Sequence, residues 1–284
     1  MQAINPYDII QWISAINNIS SGPCYCPSFL KPIHLVTMGL AIKRDKWSDY
    51  YLQPTLEAYA TRMKLWEAMN IDPPCEVSSY PESGKFVPTQ RFDKDKKDVQ
   101  NVADLLAKIV IKTTSKTYQS TLSICLEELV NNFFDHANAT HSLPCLVAAQ
   151  SWPKGKLIQV AIADAGIGIR DSLSENKELA ARVLRGNSCE LASQYGITSK
   201  PDHHGGYGLT LAKDLMKQSN GTYILLSGNE LFSWSQGKEI KEKYDGMWKG
   251  TLLVLEWKID FRLDSKAIYD DWPIPRGFNS DDFF

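Results

Sequence analysis

Glu128-Leu-Val-Asn-Asn132-Phe-Phe-Asp-His136 is the first of three polar patches that decide how this chain folds. It is followed by Asp164-Ala-Gly166-Ile-Gly168 and then by Gly205-Gly206-Tyr-Gly208-Leu209. An acid and an amide on a helix, an acid before paired glycines, and a glycine-rich helix start are each common when taken singly. In this order they predict a nucleotide site, because the backbone N–H groups at a helix start bind phosphate.

The composition is that of an ordinary globular protein, with 43% hydrophobic and 23% charged residues among 284. A formal net charge of −2 gives no basic excess, so the overall charge does not favour nucleic acid or an anionic membrane as a partner. The sequence has no uninterrupted apolar run of about 18 residues and no signal-peptide pattern at its start. We therefore expect a cytoplasmic protein.

Hydrophobic patterns after residue 91 alternate between helical and extended periods, which predicts a two-layer α/β sandwich with a mixed sheet. The Rossmann and Walker nucleotide folds fit badly, because neither GxGxxG nor GxxxxGK[ST] occurs. The predicted helices are 103–112, 118–136, 177–185 and 207–218; the strands are 145–149, 157–163, 222–226 and 251–257; and 188–206 is a loop.

The helix predicted at 118–136 brings an acid and an amide together. Residues four apart on a helix are displaced by only about 40°, so Glu128 and Asn132 lie on one side. Relative to the centre of the apolar stripe, Asn131 lies about 175° away and Asn132 about 75°. We expect Asn131 to point outward and Asn132 to lie at the edge of the core, where its amide oxygen suits Mg²⁺.

The three patches resemble the N box and the two glycine boxes of the GHKL superfamily, the Bergerat-fold ATPases. This superfamily includes the ATPase component of gyrase, histidine kinases and anti-sigma-factor kinases, and the resemblance covers roughly residues 95–258. It implies that the chain binds ATP with Mg²⁺. It also implies that Glu128 orients or deprotonates the group that attacks the γ-phosphate.

The glycine boxes carry the other implied nucleotide contacts. Asp164 matches the aspartate that accepts a hydrogen bond from the adenine amino group, and Gly166 and Gly168 permit close approach of the ligand. At the start of the last apolar strand, Gly250-Thr251 resembles the family's closing motif, with the Thr251 hydroxyl completing the set around adenine.

The segment Tyr195-Gly196-Ile-Thr198-Ser199-Lys200 resembles the family's G-x-T-[ST]-K lid. The resemblance implies that Lys200 brings a positive charge to the γ-phosphate. The backbone of Gly206, Gly208 and Leu209, where the next helix begins, would bind the triphosphate.

Residues 1–90 contain an apolar stretch, Ile33 to Ile42, and a helical pattern from Leu56 to Met69. They resemble a degenerate STAS-like region, of the kind sometimes joined to stand-alone bacterial GHKL modules, which would be a smaller α/β region. A helical cap that packs on the ATPase is the alternative. A turn-rich, charged stretch between 78 and 98 marks the boundary. The predicted units are thus residues 1–90, the ATP-binding domain at 91–260, and a tail at 261–284.

Two classes of function remain open. The first is an ATPase or protein serine/threonine kinase that acts on or through a protein partner, with Glu128 as base. The second is a nucleotide-gated binding module with negligible turnover. A histidine kinase without its phosphoacceptor domain is least favoured, because no H-E-x-x-[TS]-P box occurs and His34 is the only histidine upstream of residue 136. We expect the N-terminal region to bind the protein partner, and a homodimer stays open.

Overall fold

The computed structural model describes residues 4–17, 27–45, 52–78, 85–93, 99–111, 116–136, 144–201, 205–261 and 263–273. Within them a five-stranded sheet has the order β1-β2-β3-β5-β4. The strands are β1 Phe86–Phe92, β2 Cys145–Trp152, β3 Leu157–Ala163, β4 Thr222–Ser235 and β5 Lys238–Lys258. The helices are α1 Pro6–Asn17, α2 Pro32–Asp45, α3 Pro54–Arg62, α4 Leu65–Ala68, α5 Val99–Ile111, α6 Lys116–His136, α7 Ile169–Ser174, α8 Ala180–Arg185, α9 Ser188–Ala192, α10 Gly208–Gln218 and α11 Ser265–Asp271.

The α/β sandwich is confirmed, but the expectation of a mixed sheet is corrected. In the described part of the chain every pair of neighbouring strands is antiparallel. Short turns explain two of these pairs, since a turn of a few residues can only reverse the chain. Residues 153–156 join β2 to β3, and Gln236-Gly237, both with positive φ, join β4 to β5.

Apolar side chains extend from both faces of the central strands. On β2, Val147 points into the core that contains α5 to α11, whereas Leu146 and Ala148 point into a second core on the opposite face. Every residue of β3 is buried. Strands that are apolar throughout require cover on both faces, so the sheet lies between two helical layers.

Helices α1 to α4 form the second layer, which corrects the expected N-terminal α/β region. The described residues between 4 and 78 contain helices only, and the strand that follows, β1, joins the main sheet. The apolar stretch from Ile33 lies in α2, which contacts β2 and β3. A helix that is buried on most sides is apolar nearly all round, so a mainly apolar run is as consistent with such a helix as with a strand.

A buried polar group fastens this layer to the sheet. One carboxylate oxygen of Glu256 on β5 accepts the N–H of Ile4 at 2.8 Å, and the other accepts the side-chain N–H of Gln159 at 2.8 Å. The division into units at residue 90 stays a prediction, and that position falls inside β1.

Several elements extend beyond their predicted limits. The predicted loop 188–206 contains α9, whose N-cap Asn187 accepts the N–H of Glu190. Strands β4 and β5 continue into a long hairpin, and part of the predicted tail forms α11. The rest of the tail, residues 274–284, lies outside the described residues. None of the helices in the described ranges combines the length and apolar character needed to cross a membrane.

A core substitution in the N-terminal layer tests whether the two cores unfold together. Trp66 is fully buried and donates through its indole N–H to Thr61 at 2.9 Å. We expect Trp66→Ala to lower the free energy of unfolding by about 3–5 kcal/mol, and the hydrogen-exchange protection of β3 amides to fall with it. Tyr7→Ala, at a side chain that is 49% exposed, is the control. Unchanged β3 protection in Trp66→Ala would show that the layer unfolds on its own.

Candidate functional site

A cavity of about 340 Å³ lies between α6, the end of β3 and the start of α10. Of the ten residues predicted from the sequence, the structure brings eight to the wall of this cavity. They are Glu128, Asn132, Asp164, Gly168, Gly206, Gly208, Leu209 and Thr251. Gly166 and Lys200 are not among the residues that line it.

Asp164 is buried in the cavity wall, directly after β3. Its carboxylate accepts the N–H of Gly166 at 2.7 Å and a hydrogen bond from the Thr251 side chain. Its own N–H donates to the Thr251 carbonyl at 2.9 Å. Burial raises the pKa of Asp164 to about 6, and the hydrogen bonds from Gly166 and Thr251 oppose this rise.

Gly250 explains why a glycine precedes Thr251. Its φ is +100°, and a Cβ there would lie 2.3 Å from the Asp164 carbonyl oxygen and 2.6 Å from the carboxylate. A side chain at this position would push Asp164 away from β5. The Gly-Thr pair therefore fixes the position of the buried acid.

Ser227, which was not predicted from the sequence, connects the loop after Asp164 to Gly250. Its hydroxyl donates to the Gly250 carbonyl at 2.7 Å and accepts the N–H of Ile169 at 2.9 Å. It thereby holds the start of α7 against β5. The available signal is weak: a small polar residue directly after the apolar run 222–226.

Helices α6 and α10 meet at Gly208. A Cβ on Gly208 would lie 3.0 Å from Asn132 Nδ2 and 3.1 Å from Glu128 Cβ. The glycine thus lets the start of α10 approach the acid and the amide closely. Asn131 also lines the cavity and is half-buried like Asn132, which corrects the expectation that it points outward. The cavity wall therefore covers more of the surface of α6 than the stripe that carries Glu128 and Asn132.

The N-terminus of α10 points a set of backbone donors at the cavity. Gly206 to Leu209 line it, and within the described residues no side chain caps the helix at Tyr207. The first N–H groups of a helix have no partner within it and carry partial positive charge. The start of α10 is therefore suited to an anion.

The lid is anchored to α7 by short polar contacts. The hydroxyls of Ser172 and Ser199 lie 3.1 Å apart, and the Asn176 side-chain N–H donates to the Thr198 carbonyl at 3.1 Å. Both serines line the cavity. Ser172 was not predicted, because nothing in its local sequence indicates which segment it faces.

The helix that precedes the lid, α9, is held at its start by the buried Glu230. Its carboxylate accepts the N–H of Ser188 at 2.9 Å and pairs with Arg170 at 2.5 Å. Burial would raise the pKa of Glu230, but the hydrogen bonds from Arg170 and Ser188 outweigh it and lower the pKa. This pair ties α9 to β4 and α7.

The donor set fits an adenine nucleotide. A buried carboxylate in the cavity wall can accept a hydrogen bond from an exocyclic amino group, and the uncapped start of α10 can donate to phosphate. Among the described residues no group of three or more His, Cys, Asp or Glu could hold a metal. A cation here would need oxygen atoms from its nucleotide, as Mg²⁺ commonly does.

The raised pKa of Asp164 predicts a pH-dependent stability of the protein without nucleotide. The folded-state pKa of about 6 lies above the ordinary 3.8, so the folded protein holds this proton more tightly than the unfolded chain. The resulting stabilisation is complete below the ordinary pKa and is lost as the pH rises through about 6. Asp164→Asn removes this titration. From pH 4 to pH 7 we expect its free energy of unfolding to gain up to about 3 kcal/mol relative to wild type.

Urea unfolding at each pH measures this difference. The comparison with Asp164→Asn isolates one group from all the others that titrate in the same range. Parallel stability profiles for the two proteins would contradict the assignment.

The comparison with known families agrees with this geometry. Residues 92–223 match a family model described as a histidine kinase-like ATPase domain. The match begins at the last residue of β1 and includes Glu128, Asp164 and Gly208, whereas Thr251 lies beyond it. The chain matches none of the curated proteins with which it was compared. Residues 92–223 are therefore a histidine kinase-like ATPase domain, an ATP-binding module of the GHKL type.

Proposed function

We propose that this protein binds Mg-ATP and hydrolyses it, or transfers its γ-phosphoryl group to a serine or threonine, on or through a protein partner. The observation that carries the proposal is the contact of Gly208 with both Glu128 and Asn132. This contact places an acid and an amide beside the helix start that suits phosphate.

At the adenine end, Asp164 is the residue that selects the base. Its carboxylate accepts a hydrogen bond from the adenine amino group, and hydrogen bonds from Thr251 and Gly166 hold the carboxylate in place. Guanine presents a carbonyl at the same edge, so two acceptors would face each other in a buried site. The site should therefore prefer ATP to GTP.

At the phosphate end, the backbone of Gly206, Gly208 and Leu209 binds the triphosphate. Asn132 supplies an amide oxygen to Mg²⁺, whose other ligands are phosphate oxygens and water. Lys200 lies half-buried in the lid, next to Ser199 on the cavity wall. A movement of the lid onto bound nucleotide would bring its ammonium group to the γ-phosphate.

Glu128 is the proposed general base. It lines the cavity from the exposed side of α6, one turn before Asn132. In this position its carboxylate can accept the proton of the attacking water or hydroxyl while the bond to the leaving ADP breaks. The alternative, a nucleotide-gated binding module, uses the same pocket without this step.

Titration calorimetry with a non-hydrolysable ATP analogue and Mg²⁺ tests nucleotide binding. We expect wild type to bind it more tightly than the GTP analogue. We expect Asp164→Asn to bind about 10- to 100-fold more weakly, because a charge-assisted hydrogen bond contributes about 1.5–3 kcal/mol. Asp171→Asn, at an exposed acid on α7, is the matched control and should bind like wild type. Failure of folded wild type to bind would refute the proposal.

Turnover separates the enzyme from the binding module. We expect Glu128→Ala to lower kcat for phosphate release or protein phosphorylation by about 10²- to 10⁴-fold, with little change in nucleotide affinity. Glu127→Ala is the matched control, because Glu127 is exposed, precedes Glu128 and does not line the cavity. Equal turnover in Glu128→Ala and wild type would remove Glu128 from the chemistry. ATP binding with no turnover, even in the presence of cell extract as a phosphoacceptor source, would favour the nucleotide-gated module.

A further inference from the structure

Four aromatic side chains form a cluster beside the lid, which we call the aromatic clamp: Tyr195, Tyr207, Tyr269 and Trp272. The ring centroid of Trp272 lies 5.1 Å from that of Tyr195, 5.7 Å from Tyr207 and 5.2 Å from Tyr269. The rings of Tyr195 and Tyr207 lie 4.9 Å apart. These separations are those of favourable aromatic pairs.

The clamp joins parts of the chain that have different roles. Tyr195 lies in the lid, Tyr207 is the N-cap of α10, and Trp272 directly follows α11. The ring of Tyr207 folds back over Gly205, where a Cβ would lie 2.2 Å from the ring. The paired glycines before α10 thus leave room for the clamp as well as for a ligand.

Helix α11 is fastened at both ends. At the start of the helix, the Asp264 side chain caps it, and the Asp264 backbone N–H donates to the Gln218 side chain at 2.8 Å. The N–H of the neighbouring Ser265 donates to the Thr121 hydroxyl on α6 at 3.1 Å. At its end, the Trp272 indole N–H donates to Asp214 on α10 at 3.1 Å. The chain beyond it is held by the Tyr195 hydroxyl, which donates to the Pro273 carbonyl at 2.8 Å.

Helix α11 thus contacts both helices that line the cavity, α6 through Ser265 and α10 through the Trp272 that follows it.

We propose that Trp272 is a positioning residue, which holds the lid at Tyr195 and the phosphate-binding turn at Tyr207 in one arrangement and so slows the release of nucleotide. The proposal rests on the proposed nucleotide binding for its effect on release, but its effect on the lid is independent of nucleotide. It gives α11 and Trp272, which lie outside the residues of the family match, a role in the site.

Two measurements test the clamp. Hydrogen exchange without nucleotide reports the lid itself: in Trp272→Ala we expect amides at 194–200 to exchange about three- to tenfold faster, as loss of one or two aromatic pairs predicts. Amides of β3 should be unchanged. The release rate of a fluorescent ATP analogue should also rise, because nucleotide leaves more readily when the lid opens more often.

Matched variants separate positioning from a general loss of stability. Trp272→Phe keeps an aromatic ring and should restore most of the lid protection. Trp152→Ala removes another half-buried tryptophan, at the end of β2 that pairs with Leu157, and should leave lid exchange and nucleotide release as in wild type. Asp214→Ala removes only the acceptor of the indole N–H and serves if Trp272→Ala does not fold.

The outcomes distinguish the clamp from the proposed function. Wild-type lid exchange in a folded Trp272→Ala, or in Asp214→Ala if that is the variant that folds, would overturn the clamp whatever the nucleotide does. An equal increase in Trp152→Ala would overturn it as well, because the effect would then be global. Lid exchange that rises in Trp272→Ala and recovers in Trp272→Phe supports the clamp. If wild type then binds no nucleotide, the proposed function fails and the clamp stands as a contact of the lid alone.

Discussion

The pairing of β3 with β5 is the constraint on which the rest of the structure depends. It aligns Leu157 with Lys258 and continues to Ala163 opposite Leu252, so Asp164 emerges beside Gly250-Thr251. A shift of one residue would turn every side chain to the other face, and both faces are buried, so the register is strongly specified. Main-chain hydrogen bonds hold Asp164, and Gly250 packs against it with no room for a side chain, so this part of the cavity wall is rigid before any ligand binds.

The part of the cavity wall that faces α10 is built differently. It combines the start of α10 with a lid that rests on side-chain contacts such as Ser172 with Ser199. Contacts of this kind open at lower cost than a strand pair in the centre of a sheet. A rigid wall at Asp164 next to a more easily opened lid fits the proposed function, in which the adenine would bind first and the lid would respond to the phosphates.

The sequence predicted those parts of the molecule that local pattern determines. Strand β3 was predicted with its observed limits, because an apolar run, interrupted by Gln159, ends at a charged residue on each side. Helix α6 and the start of α10 also carried local signals, and eight of the ten predicted site residues line the cavity. The pairing of β1 with β2 and of β3 with β5 could not be predicted, nor could the contacts of Ser172 and Ser227, since each depends on a partner distant in the chain. The run from Ile33 was ambiguous, because a helix buried on most sides has no polar face to reveal its period.

The second helical layer has a consequence for where this molecule can be divided. Residues 92–223 are the part that resembles other proteins, yet they include neither β5 nor most of β1. A fragment with these limits would leave β3 without one neighbour and would uncover Leu146, Ala148 and Ala161 on the back of the sheet. An exposed strand edge beside an apolar face favours aggregation. The region that matches the family model is thus smaller than the region that must fold together, and an expression fragment should follow the second.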